Sequence, residues 1–265
     1  MRERATISDA MSSTNRTLFI ADLHLAEARP LASGRFFHFL EDIAAGADAL
    51  YILGDLFEYW VGDDDVDAPI ARQAAERIHA LTAAGTPVHF MHGNRDFLLA
   101  RRYAGSCGMT LLDDPVVVDL YGVPTLLTHG DTLCTDDRSY QRFRKFARLP
   151  LVRGSLLALP LGLRHALAKS ARAGSERAKT GKSCEIMDVN ADAVADAFRR
   201  SGALRMIHGH THRPARHLAT IDGKPAERWV LPDWYGEGGY LACTAQGCEL
   251  LPAPSPSKSG SATDS

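Results

Sequence analysis

No stretch of this 265-residue sequence comes near the roughly 18 uncharged apolar residues that a membrane-crossing helix needs, so no spanning helix is expected. The opening MRERATISDAMSSTNR has no apolar core, which argues against a secretory signal peptide. The five cysteines contain no C-x-x-C pair, and an odd count speaks against both a disulfide framework and a zinc ribbon; a reducing cytoplasm fits best. An excess of one charge is also missing. With 30 basic and 32 acidic residues the net charge is −2, so no nucleic-acid partner is expected from the overall field. Internal repeats are absent as well.

What is present is enough for a full core: 45% of residues are hydrophobic and 23% charged, in a length that suits one large domain or two small ones. The polar residues 1–15 and the Pro/Ser/Gly-rich 253–265 have little to bury and read as disordered tails around a folded 16–252. Inside that span, TLFIA, ALYIL, VHFMH, PTLLTH and RMIHGH are strand-like. Residues 34–45, 68–84 and 190–201 have helical spacing, the last with Asn190 as N-cap and Gly202 as its stop. The alternation predicts an α/β layered fold with helices covering a sheet.

Each of the five strand-like runs is followed at once by residues that bind cations. They are Asp22 and His24 after the first, Asp55 after the second, and Asn94, Arg95 and Asp96 after the third. His129 and Asp131 follow the fourth, and His208, His210 and His212 the fifth. Sites in open α/β sheets form at the carboxyl ends of strands, so these clusters are expected to converge. Singly, each motif is as easily a turn or a cap; a lone His-x-His is more often an incidental polar loop than a ligand. Carboxylate, amide and imidazole donors without thiolate suit Mn²⁺ or Fe²⁺, with Zn²⁺ as an alternative. Asp131 is expected to orient His129 from behind, and His208 reads as structural.

In this order the series D-x-H, G-D, G-N-R-D, H-G-D, G-H-T-H resembles the calcineurin-like metallophosphoesterases over roughly residues 17–243. The resemblance implies a layered β-sandwich flanked by helices and two divalent ions. One would be held by Asp22, His24 and His212, the other by Asn94, His129 and His210, with Asp55 bridging. With two ionised carboxylates among neutral ligands, two divalent ions leave the site near +2, which favours a phosphate anion. A water between them would be acidified towards neutral pH and become the nucleophile for phosphoester or phosphoanhydride hydrolysis. Arg95, Asn94 and His210 are the expected catalytic positions, Arg95 meeting charge that develops on the phosphoryl oxygens.

The stretches HGDTLCTDDRSYQRFR, ARAGSERAKTGK and IMDVN are similar to the UDP-2,3-diacylglucosamine diphosphatases of lipid A biosynthesis. That similarity implies Mn²⁺ and water attack on the α-phosphorus of UDP-2,3-diacylglucosamine, giving UMP and 2,3-diacylglucosamine 1-phosphate. Asn94, Arg95, Asp137, Ser175, Lys179, Lys182 and His210 match substrate-binding positions, Lys179 departing from the Asn of some relatives. Between these blocks, about residues 138–182 read as a helical lid insertion. Leu151, Leu156, Leu157, Leu159, Leu161 and Leu163 are expected to line an acyl pocket, bordered by Arg153, Arg164, Lys169 and Arg172. An apolar face edged by cations also suits peripheral contact with lipid at the cytoplasmic side of the inner membrane. Ordinary core packing of the insertion is the alternative. Another phosphoesterase of the superfamily and a metal-free interaction protein are the competing functions; the sequence names no protein partner.

Overall fold

The structure, a computed structural model, describes residues 15–65, 68–180 and 188–254, with 175–180 described by backbone alone. Two sheets stack on each other. The first contains β1 (Thr17–Ile20), β2 (Ala49–Leu53), β3 (Val88–Met91) and β4 (Thr110–Leu112) in parallel, extended beyond β1 by β10 (Gly239–Thr244) and β11 (Gly247–Pro252). The second has the order β5 (Val116–Leu120), β6 (Val123–Leu127), β7 (Arg205–His208), β9 (Lys224–Val230), β8 (Ala215–Ile221).

The β1 run is apolar at every position because both of its faces are covered. Leu18 and Ile20 pack with Phe36, Ile78 and Tyr103, under α1 (Pro30–His38), α2 (Pro69–Ala83) and α3 (Arg101–Cys107). Phe19 and Ala21 point the other way and meet Leu127, Ile207 and Trp229 of the second sheet. A third cluster joins Phe198 of α7 (Ala191–Ser201) to Leu126 and Met206 on that sheet's outer face. Burying a side chain of this size contributes on the order of 1.5–3 kcal/mol.

The five expected strands are β1, β2, β3, β6 and β7, and each stops where its polar cluster begins. The helix expected at 34–45 starts earlier, at Pro30, because proline is preorganised for the first helical turn, and it closes through a π-helical turn at Phe39–Ile43. In α7 the Asn190 side chain accepts from the N–H groups of Asp192 (3.0 Å) and Ala193 (3.1 Å), and Gly202 stops the helix at φ +67°.

Residues of the insertion form α4 (Arg138–Ala147), α5 (Pro150–Leu157) and α6 (Leu161–Thr180). Of the cations expected to border its apolar face, two are anchors instead. Arg164 is buried and donates to the Val61 carbonyl and Asp64 Oδ1, both at 2.7 Å, while Arg172 pairs with Glu58 at 3.0 Å. His165 adds a contact to Asp65 at 3.0 Å. The insertion is thus tied to the loop after β2. Its leucines divide: Leu156, Leu159 and Leu161 are half-buried, whereas Leu151, Leu157 and Leu163 are exposed, Leu151 by 87%.

The cysteines depart from expectation at one place. Cys243 and Cys248 face each other across β10 and β11 and form a disulfide, because hairpin pairing sets their Cα atoms 4.0 Å apart. It is a local cross-strand link. Cys107 and Cys134 are buried thiols. No helix among the described residues is long and apolar enough to cross a membrane. Most of both tails, 1–14 and 255–265, lies outside the described residues.

Candidate metal centre

The loops leaving β1, β2, β6 and β7 meet at one end of the sandwich, and main-chain bonds lock them together. Asp22 N donates to the Gly54 carbonyl (3.1 Å), His24 N to that of Asp55 (2.9 Å), and Gly209 N to that of His129 (3.0 Å). Five of the expected ligands, Asp22, His24, Asp55, His210 and His212, sit in the left-handed region at φ +50° to +71°. That conformation costs a non-glycine residue roughly 1–2 kcal/mol, and it turns each side chain into the shared cleft.

Two sets of three side chains bring their ligand atoms within 4.8 Å of one another: Asp22, His24 and His212, and Asp22, Asp55 and His129. Asp55 lies between imidazoles, 3.9 Å from both His24 Nε2 and His129 Nε2. Asn94 Oδ1 is 3.1 Å from His129 Nε2 and 3.0 Å from His210 Nδ1. Four buried atoms here have no hydrogen-bond partner: Asp22 Oδ1, Asp131 Oδ1 and both ring nitrogens of His24. Each such orphan costs about 1–3 kcal/mol unless something fills its valence. A cation does so for Asp22 Oδ1 and for one nitrogen of His24, and the N/O donor set fits a divalent one.

The electrostatics agree. Burial alone would raise the Asp22 carboxyl, but His212, 3.5 Å from Oδ1, and the charge of His129 hold it below the usual carboxylate range. Asp55 is pushed up to about 7 by burial, against the pull of His129, with repulsion from Asp96 and Asp22 added. Burial opposes the charged form of His129, yet Asp55, Asp22 and Asp131 raise it to about 9. The carboxylates of this buried cluster draw positive charge to the imidazoles around them, and a divalent cation suits such a site. His210 is driven down to about 4 by burial and by His129, so its imidazole is neutral and competent as a ligand.

Three glycines are needed for this approach. A Cβ on Gly93 would collide with Asp55 Oδ1, one on Gly209 with Asp22 Oδ2, and one on Gly54 (φ +90°) would lie 2.5 Å from Gly93 N. Gly93→Ala is therefore expected to displace Asp55, lowering bound metal and cutting turnover about 10²-fold, the usual consequence of an ångström-scale misplacement. Gly34→Ala, where nothing lies within 4 Å, is the control. Equal metal content and rate in the two purified variants would refute this role for Gly93.

Asp96 braces the third loop, accepting from Gly93 N (2.8 Å) and Leu56 N (2.7 Å). Arg95 N donates to Asp55 Oδ1 at 2.8 Å and its guanidinium to Glu58 at 2.9 Å. The expectation that Asp131 orients His129 needs correction. His129 Nδ1 donates to the Leu53 carbonyl (2.8 Å), the nearer acceptor where β2 ends. Asp131 instead accepts from Tyr140 Oη and Arg144 Nε, both at 2.6 Å. His208 is buried, its Nδ1 donating to the Gly209 carbonyl (2.8 Å) and its Nε2 accepting from Arg228 (3.0 Å).

Asp137 caps α4, accepting from Tyr140 N at 3.1 Å. Ser175 and Lys179 fall on the part of α6 described by backbone alone, and Lys182 lies outside the described residues. Several neighbours of the site carried no readable signal. Tyr235 has its ring 4.8 Å from that of His24, Asp233 lies 3.6 Å from His212 Nδ1, and Tyr140 stacks on His210 at 6.0 Å. Glu58 closes the GDLFE run, and only its pairing with Arg95 and Arg172 reveals its place.

Two stacked sheets with a cleft of carboxylate, amide and imidazole donors at their strand ends define a metal-dependent phosphoesterase. The chain belongs to the calcineurin-like phosphoesterases, whose sequence profile matches residues 15–214. Within that family it is similar to the UDP-2,3-diacylglucosamine hydrolase of Enterobacter sp. (strain 638), 50% identical over 90% of this chain and 99% of that one. The protein of the same name from Edwardsiella ictaluri (strain 93-146) is 49% identical over 90% of this chain and 92% of its own, and that from Klebsiella pneumoniae 50% over 90% and 99%.

Proposed function

We propose that this protein hydrolyses the pyrophosphate of UDP-2,3-diacylglucosamine, by water attack on the α-phosphorus, to UMP and 2,3-diacylglucosamine 1-phosphate in lipid A biosynthesis. The observation that carries the reading is the convergence of Asp22, Asp55, His24, His129 and His212 within one buried cleft, in a chain about half identical to hydrolases of that name. Two divalent cations, Mn²⁺ in this reading, would polarise the phosphoryl group and lower the pKa of a water when bound. Asp22, His24 and His212 would hold one, Asn94, His129 and His210 the other, with Asp55 shared.

The chain's own groups do the rest. Arg95, steadied by Glu58 at 2.9 Å, brings a guanidinium to the phosphoryl oxygens. Asn94 and His210, brought together at 3.0 Å, fix the orientation of the phosphate. Asp137, Ser175, Lys179 and Lys182 are assigned to substrate binding. Purified protein given the substrate and Mn²⁺ should release UMP and the diacyl sugar phosphate, and EDTA should abolish turnover while the circular dichroism persists. Full activity in chelator would overturn the metal assignment.

The insertion of about 138–182 is assigned as a lid that holds the acyl chains and touches lipid at the inner face of the cytoplasmic membrane. Supporting this, Phe143, Phe146, Leu149 and Leu151 are exposed beside Arg142, Lys145 and Arg153. Each methylene buried there contributes on the order of 0.8 kcal/mol, so a few amount to more than tenfold in kcat/KM. Leu156→Asp and Leu159→Asp are expected to depress hydrolysis of the diacylated substrate at least tenfold more than that of bis(p-nitrophenyl) phosphate. Equal losses on both would assign the insertion to support of the core.

A further inference from the structure

We propose that a cavity on the second sheet, beside the metal loop and lined by charged and apolar groups, receives the nucleoside half of the substrate. This inference rests on the substrate reading above and extends it to a site of its own. The cavity, about 230 Å³, is lined by Asp188, Thr211, Arg213, His217, Arg228 and Val230. At roughly 30 Å³ per water it has room for on the order of seven waters, which suits a heterocycle and sugar better than two acyl chains.

Its position follows from the chain. Thr211 lies between His210 and His212, so the cavity begins one residue from the metal centre. Arg228 donates to His208 at 3.0 Å, and His208 in turn bonds the Gly209 carbonyl at 2.8 Å, tying the cavity wall to the loop that carries those histidines. Within the insertion, α6 is anchored on the loop after β2, at Glu58, Val61, Asp64 and Asp65, while α4 reaches Asp131 in the loop after β6 through Tyr140 and Arg144. A diphosphate cleaved at its α-phosphorus has one substituent on each side of the reacting centre. With the acyl chains against the leucines of α5 and α6, on the side anchored to the loop after β2, the nucleoside is left to lie against β8 and β9, where this cavity opens.

The lining chemistry matches such a group. A pyrimidine ring presents carbonyl oxygens and one ring N–H, and its ribose presents hydroxyls. Arg213 and Arg228 are donors, and Asp188, which pairs with Arg213 at 2.5 Å, is an acceptor. His217 stands opposite Arg228 in the β8–β9 register, and Pro214 and Ala215 supply an apolar wall for a flat ring. Two guanidiniums against one carboxylate also leave the cavity cationic beside an anionic diphosphate.

The test is direct binding to the Mn²⁺-loaded protein, by calorimetric titration with UMP and separately with inorganic phosphate. UMP should bind at least about tenfold more tightly than phosphate, the margin one or two hydrogen bonds to charged groups confer. His217→Ala and Arg213→Met, both at exposed positions and so compatible with folding, should each remove most of that margin while the Kd for phosphate stays within about twofold. UMP binding no tighter than phosphate in the unsubstituted protein, or an unchanged margin in both variants, would overturn the proposal. Turnover of the diacylated substrate is scored separately. If the margin and its loss are seen but that substrate is not cleaved, the substrate reading fails and the nucleoside site stands; cleavage without the margin condemns the site alone.

Discussion

Asp55→Ala is expected to reduce turnover by at least about 10³-fold and to lower bound metal from two ions to one or none. Asp55 is buried, 3.9 Å from an imidazole of each proposed metal set, and it accepts the Arg95 backbone N–H at 2.8 Å. Removing it takes away the anion both cations share and leaves their repulsion less screened. Metal catalysis contributes several kcal/mol of charge stabilisation, and each 1.36 kcal/mol is a factor of ten. Asp55→Asn separates the two duties, because its amide oxygen still accepts from Arg95 N while the charge is gone. Metal analysis of both variants should show the loss in each, and an Asp55→Ala protein with two ions and near-normal rate would refute the bridging assignment.

Arg95→Ala should behave differently: metal content normal, kcat down by about 10²–10³, the usual loss on removing one transition-state donor. The backbone of Arg95 is held by Asp55 and by Trp60, whose N–H donates to its carbonyl at 3.0 Å, so truncating the side chain leaves the loop in place. Glu58 keeps its partner Arg172 and is not stranded. Arg95→Lys should recover only part of the rate, since an ammonium lacks the planar fork that meets phosphoryl oxygens in pairs. A variant that loses metal along with activity would move Arg95 from catalysis to support of the site.

Much of this was legible in the sequence because strands buried on both faces read as unbroken apolar runs, and each run ends where a ligand must leave the sheet. The helix of residues 191–201 was legible because asparagine and glycine mark its two ends. β8, by contrast, is missed: it is exposed at nearly every position, so ARHLATI carries no apolar periodicity, and only pairing with β9 makes it a strand. The role of Asp131 is misjudged for a related reason. Nearness in the chain suggested His129 as its partner, while folding brings Tyr140 and Arg144 closer.

By itself the sequence determined the kinds of donor present, their order, and the strand ends from which they leave, because bonding preferences and burial patterns are local properties. The tertiary structure decided which donors meet. His210 N reaches Asp22 Oδ2 at 2.7 Å across 188 residues, and that approach needs a glycine at 209 and sheets stacked in one register. It also decided that Arg164 and Arg172 anchor the insertion, and that Arg213, His217 and Arg228 share one cavity. Contacts of this kind depend on how separate elements pack, and packing is a property of the whole chain that no short stretch encodes.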